Sequence, residues 1–196
     1  MRTKLISLSI LLTAMTLTAC SGVPPQRIEL QPPISAVPRL SEAPPVSVHV
    51  ANRSERLQIG TISDRMGNET TVTLSHQAPE QLRQAVIQAL SRMRVPAPVA
   101  DARTRMTLIV DDIFYHLRSD GIRRELVGTL RLRIQVIDGV HQYEGSFEAT
   151  HTEEVVRTPD EAKSEIFVNN LVGEVMSNAF NDPRLSDFLL ARARSQ

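Results

Sequence analysis

Residues 126–151 read LVGTLRLRIQVIDGVHQYEGSFEATH, and the pairing within this stretch decides the fold. Leu126, Gly128, Leu130, Leu132, Ile134 and Val136 take every second position, with Thr129, Arg131, Arg133 and Gln135 between them. A period of two is that of a strand with one buried face. Asp138-Gly139 is a two-residue hairpin signal of type I′. That turn sets Ile137 against Val140. It then places Ile134 opposite Tyr143, Leu132 opposite Gly145, Leu130 opposite Phe147 and Arg133 opposite Glu144. The apolar faces of the two strands coincide under a pairing taken from the turn alone, as a correct register requires.

The chain on either side supplies the other elements. Met106, Leu108 and Val110 begin a strand that runs to about His116, and Ser119-Asp120-Gly121 turns the chain into the hairpin. Further upstream, Val46, Val48 and Val50 alternate with Ser47 and His49. Residues 57–62 and 70–75 read as two more strands around a Gly67-Asn68 turn. Pro79 opens a helix whose stripe is Leu82, Ala85, Val86, Ala89, Leu90 and Met93, and Pro96 and Pro98 end it. After the hairpin, Thr158-Pro159-Asp160-Glu161 opens a long helix. Thr158 suits the cap, Pro159 the first turn, and Glu161 completes a capping box. Val168, Leu171, Val172, Val175 and Ala179 form its stripe. Asp182-Pro183 starts a short final helix bearing Leu185, Phe188 and Leu189. The expectation is an α/β chain of the α+β kind. Two main helices pack on one face of a largely antiparallel sheet, in the order β-β-α-β-β-β-α plus the short C-terminal helix.

The N-terminus has a different logic. Arg2 and Lys4 precede an uncharged apolar run that ends at Leu17-Thr18-Ala19-Cys20, followed by Ser21. Basic segment, short apolar run and small-residue cleavage site make residues 1–19 a secretory signal. The run is too short for a comfortable span, which needs about 20 apolar residues. Leu17 to Cys20 is similar to the lipobox of bacterial lipoproteins, where the thiol becomes a diacylglyceryl thioether and the new N-terminus is acylated. That resemblance implies a membrane anchor through lipid on Cys20, and Ser21 after the cysteine implies sorting to the outer membrane. Residues 20–45 hold Pro24, Pro25, Pro32, Pro33, Pro38, Pro44 and Pro45 and read as an extended tether. At about 3.1 Å per residue such an arm reaches on the order of 75 Å. A short edge strand over Arg27 to Leu30 is the competing reading. Residues 46–196 then form a single periplasmic domain.

The layout as a whole resembles the YajG family of Gram-negative lipoproteins. The residues that carry the resemblance are the lipobox, the proline-rich arm, Val46-Ser47-Val48-His49-Val50, Ile59-Gly60, and Asp182 to Ala193 (DPRLSDFLLARA). An Asp-x-Arg turn often follows the first strand in that family. Here Ala51-Asn52-Arg53 keeps the arginine without the acid. The resemblance implies an outer-membrane lipoprotein with an α/β domain and no established activity.

Composition narrows the chemistry. Twenty-two basic and 22 acidic side chains balance, so net charge makes no case for nucleic acid. Cys20 is the only cysteine, which leaves none for an internal disulfide. Tryptophan is absent, which argues against a sugar-stacking platform. His141 and His151 share a strand but stand about 33 Å apart at 3.3 Å per residue, too far to share a metal. Neighbours in a strand point to opposite faces, so Asp111-Asp112 and Glu153-Glu154 are not carboxylate dyads. Either one Asp turns inward, or a bulge turns both outward. No glycine-rich phosphate loop and no nucleophile elbow is present. The sequence therefore points to no catalytic residue, no metal site and no cofactor beyond the lipid. The candidate partner-site residues are Arg123 and Arg124, together with Asn170 and Gly173 on the last long helix. The reading that follows is a non-catalytic accessory module presented to an envelope protein or transport assembly, its alternative a periplasmic lipid or glycan carrier or hydrolase.

Overall fold

The computed structural model describes residues 24–53, 56–121 and 123–194. The lipobox, Cys20 and Ser21 lie outside them. The elements are β1 (Gln26–Ile28), β2 (Val46–Asn52), β3 (Gln58–Ser63), β4 (Glu69–Leu74), α1 (Ala78–Arg92), β5 (Thr104–Ser119), β6 (Arg124–Asp138), β7 (His141–Glu154), α2 (Glu161–Phe180) and α3 (Pro183–Ala193). All seven strands join one sheet. Its long pairings, β5 with β6 and β6 with β7, are antiparallel, as is β3 with β4. Three shorter pairings are parallel, namely β1–β4, β2–β5 and β3–β5. The α+β class and the broad element order stand as the sequence implied, except that four strands precede α1 where the order had two: the three read from the residues, and β1.

The hairpin register differs from the expectation by two residues. Asp138 pairs with His141, so the turn is Gly139-Val140. Gly139 has φ +62° and Val140 is not in the left-handed region, the pattern of a type II′ turn with glycine first. Asp138 is kept in the strand because its buried carboxylate is held by Arg103 at 2.7 Å. A shift of two leaves every side chain on its face. The apolar face is therefore as read, while the partners change: Leu132 opposes Phe147, Ile134 opposes Gly145 and Arg131 opposes Glu148.

β5 is the spine. One edge pairs with β6 along its whole length, and the other is shared. β2 takes Thr104 to Val110, and β3 takes Tyr115 and His116. The sheet forks between them. At this fork Asp111 is the extra residue of a bulge, since Val110 pairs with Leu132 and Asp112 with Arg131. Thr104, Met106, Leu108 and Val110 are buried before it, and Ile113 and Tyr115 after it. The bulge thus changes the inward parity, so neither Asp111 nor Asp112 enters the core. Gly60 closes the far branch. A Cβ there would sit 1.6 Å from the Tyr115 carbonyl oxygen, so only glycine allows β3 to pair with β5.

Both helices lie over the same sheet face, and the core fills the space between. The stripes read from sequence on α1 and α2 are buried in full. The cap of α2 is not Thr158. Asp160 accepts from the Lys163 amide at 2.9 Å, and Thr158 instead accepts from Arg124. On α3 the expected Asp182-Pro183 start holds: the Asp182 carboxylate accepts from the Arg184 amide. The same carboxylate accepts from the buried Tyr143 hydroxyl at 2.8 Å and pairs with the Arg184 guanidinium at 2.8 Å. That contact fastens α3 to β7. Arg184 holds the Asp182 carboxyl below the usual carboxylate range, helped by Tyr143, and burial pushes the Tyr143 phenol up.

Two outcomes follow. Gly60→Ala forces backbone against backbone and should cost about 3 kcal/mol or more, at the top of the overpacking range. Denaturant unfolding reads this directly. Asp182→Ala removes a cap and strands the Tyr143 hydroxyl, for about 2 kcal/mol near neutral pH. Because the folded Asp182 pKa is depressed, its contribution is present above the unfolded value of about 3.9 and is lost as pH falls through the folded one. The gap between wild type and Asp182→Ala should therefore narrow on acidification below about pH 4. A gap that stays constant with pH would rule out this account of Asp182.

Candidate functional site

The proline-rich segment is not a free tether. From Gln26 it is part of the body, and the domain begins there and not at Val46. β1 adds to the β4 edge, and Ile28, Leu30 and Leu40 are buried in the core. The edge-strand reading was the right one, within Gln26–Ile28. Prolines 32, 33 and 38 keep the following residues extended across the helices without requiring a ladder.

A row on α2 receives this arm. The Arg27 amide donates to Glu161 at 2.9 Å and the Glu29 amide to Glu165 at 3.2 Å. The Gln31 amide donates to the Asn169 side-chain oxygen, while Asn169 Nδ2 donates back to the Glu29 carbonyl. The Ser35 amide donates to Ser177 Oγ at 2.8 Å, and Asn181 Nδ2 donates to the Ala36 carbonyl at 2.9 Å. Between these, Pro33 lies on Gly173, where a Cβ would come within 2.7 Å of the Pro33 carbonyl. Residues 161, 165, 169, 173, 177 and 181 are every fourth on the helix, and 27, 29, 31, 33 and 35 every second on the arm. Four helical residues rise about 6.0 Å and two extended ones about 6.2–6.6 Å, so the rows stay in step. Proline has no amide hydrogen to satisfy, and it sits where glycine offers no acceptor. From α1, Gln81 accepts the Leu30 amide and Arg92 donates to the Ile34 carbonyl.

This fills one position of a predicted partner site. Gly173 does admit a close neighbour, and the neighbour is the chain's own Pro33. Asn170 is exposed beside it. Arg124 is buried and donates to the Ser63 carbonyl and Thr158, tying three connections together. Arg123 is exposed, and its amide donates to Asp120. Glu165, Ser177 and Asn181 were not singled out from the sequence, and Glu161 was read only as a capping residue. Their signal was there, as a polar-or-small residue at every fourth position, in a row beside the apolar stripe.

The outer sheet face carries charge in pairs. Arg133 donates to both Asp111 oxygens, at 2.7 and 2.8 Å, and to Glu144 at 3.0 Å, while Arg53 approaches Asp111 at 3.7 Å. Arg133 holds the Asp111 carboxyl below its ordinary range, and the two acids push the Arg133 pKa up. Arg131 pairs with Glu148 at 2.9 Å. Of these contacts, the Arg133–Glu144 pair is the one read from the sequence. Arg53, which the family pattern would set beside an acid of its own turn, finds one in the β5 bulge. His151 lies opposite Gly128, edge-on to the Phe167 ring. Among the described residues no group of three His, Cys, Asp or Glu is placed to hold a metal ion. An apolar cavity at the fork, between Leu30, Val50, Leu82, Val110 and Val172, has a volume of about 30 Å³. That is room for one water, against roughly 300 Å³ for a small-molecule site. A larger hollow of about 420 Å³ between the arm and α1 is open and lined mostly by glutamines.

Comparison with known proteins places this architecture. A Xanthomonas campestris protein of the DUF330 family has a similar fold, with TM-score 0.54 and 13% identity, over 86% of this chain and 98% of that one. The rare lipoprotein B of Shewanella oneidensis is more distant, with TM-score 0.37 and 15% identity over 76% and 94%. A search of curated proteins finds no match. Residues 32–190 match the family model described as uncharacterized lipoprotein, Lipoprotein_16. The matched span starts inside the docked arm and ends in α3, and the chain belongs to this YajG-type lipoprotein family.

Proposed function

We propose that this lipoprotein is anchored to the outer membrane through acylated Cys20 and works as a non-catalytic binding module for an envelope protein or transport assembly. Membership of a lipoprotein family and the Leu17-Thr18-Ala19-Cys20-Ser21 sequence support the anchor and its sorting. The observation that carries the binding role is the division of the sheet's two faces. Helices and arm cover one. The other, built on β5, β6 and β7, keeps a surface that no element of the described chain covers, and Phe114 stands 57% exposed on it. An aromatic side chain on a rigid sheet is an apolar anchor of low entropy cost, the kind that dominates interfaces. The paired charges around it set a pattern that a partner must match, which favours specificity over raw affinity.

A photo-crosslinking residue at Phe114 in the full acylated chain tests this. It should trap a defined envelope protein in intact cells, and the same residue at exposed Met66 should not trap it. A product pattern that matches a lipid-anchored control domain at both positions would contradict the proposal.

A further inference from the structure

The docked arm limits how far the body can stand from its anchor. Only residues 21–25 separate Cys20 from Gln26. Six Cα steps span at most about 20 Å. The direction is also set. β1 runs parallel to β4, with Gln26 beside Val72, so the chain before Gln26 leaves toward the β3–β4 turn. Asn68, at that turn, lies about 13 Å further along the same line. A fully stretched connection clears the turn by less than a turn's own thickness, and any shorter one brings it closer.

Three connections meet at this end. β3 is parallel to β5, so the β3–β4 turn lies beside the β5–β6 turn, and Glu125 pairs with Glu154 where β7 leaves for α2. Two of the most exposed apolar side chains in the described chain sit here, Met66 at 85% and Val156 at 80%. Their loops are joined, since Arg65 donates to the Val156 carbonyl at 3.2 Å. Asp64 accepts from the amides of Met66 and Asn68 and so fixes the turn that holds Met66 outward. Beside Arg65, Arg123 and Arg157 stand Asp64, Asp120 and Asp160 and the strand-end acids Glu69, Glu125 and Glu154, so this end has no basic excess to attract anionic lipid.

We infer that this end of the domain rests on the lipid headgroups, with Met66 and Val156 as its apolar contacts and the opposite end, at Val140, held away from the bilayer. The inference rests on the reading of Cys20 as the acylated residue. The short connection and the two apolar tips act together, as stable membrane contact requires more than one weak signal. β6 and β7 run 15 and 14 residues, which puts the β6–β7 turn about 45 Å from the seated end.

The test uses the full acylated chain with one added cysteine, Met66→Cys, Val156→Cys or Val140→Cys. Cys20 is the only native cysteine, so once acylated it leaves the new thiol as the sole labelling site. Each variant carries an environment-sensitive fluorophore and is reconstituted into phosphatidylethanolamine–phosphatidylglycerol vesicles containing a headgroup-nitroxide lipid. Labels at 66 and 156 should lose most of their emission and the label at 140 almost none, at low and high salt alike. Quenching at all three would mean that the domain lies flat. Quenching at none, in protein that floats with the vesicles, would mean that the body stands clear. Either overturns the inference and leaves the anchor intact. If the chain does not float and the Cys20 peptide has no acyl mass, the anchor itself fails, and this inference with it.

Discussion

The structure depends on the match between an extended segment and one row of a helix. Residues 27–35 advance by two while α2 advances by four, and hydrogen bonds or close packing recur at each step. Burying Ile28, Leu30 and Leu40 contributes about 1.5–3 kcal/mol each. The polar contacts add less individually, but they fix which residue sits where. They also protect the sheet. β1 is an edge strand, and the outward amides of Arg27 and of Glu29 just after it are taken by Glu161 and Glu165 before another chain can pair with them.

That docking changes what the N-terminal region is for. A proline-rich composition permits a long spacer, and it equally suits a strap that must stay extended over a helix and offer few surplus amides. The difference lies in the partner surface. With the strap in place, the core is closed over the sheet fork, and the remaining link to Cys20 is short. If Cys20 is acylated as proposed, that short link makes position and orientation at the membrane properties of the fold. Phe114 on the outer sheet face and Val140 at the hairpin end stay exposed.

Much of this was legible in the residues, and the failures have physical causes. The faces of the hairpin strands, both helix stripes and the Asp182-Pro183 start follow from periodicity and capping chemistry. The turn did not, because Asp138-Gly139 has the composition of a type I′ turn while Arg103, distant in sequence, holds Asp138 in the strand. A shift of two leaves the side-chain pattern unchanged, so periodicity could not detect it. The cap of α2 fell to Asp160 because Thr158 was taken by Arg124. The bulge at Asp111 was one of two open alternatives. The choice came from Arg133, which binds that carboxylate with two hydrogen bonds on the outer face. Gly173 was read as part of a partner site, and the room for a close neighbour was real. Its occupant was a proline 140 residues earlier in the chain, which local reasoning on α2 does not reach.

Amide hydrogen exchange across residues 26–40 of the intact protein measures the central claim most directly. If the arm belongs to the domain, the amides of Leu30, Gln31, Ser35 and Leu40 exchange slowly, together with those of β5 and β6. If these amides exchange as fast as an unstructured peptide while β5 and β6 stay protected, the arm is a spacer after all, and the constraint on the domain's place at the membrane disappears.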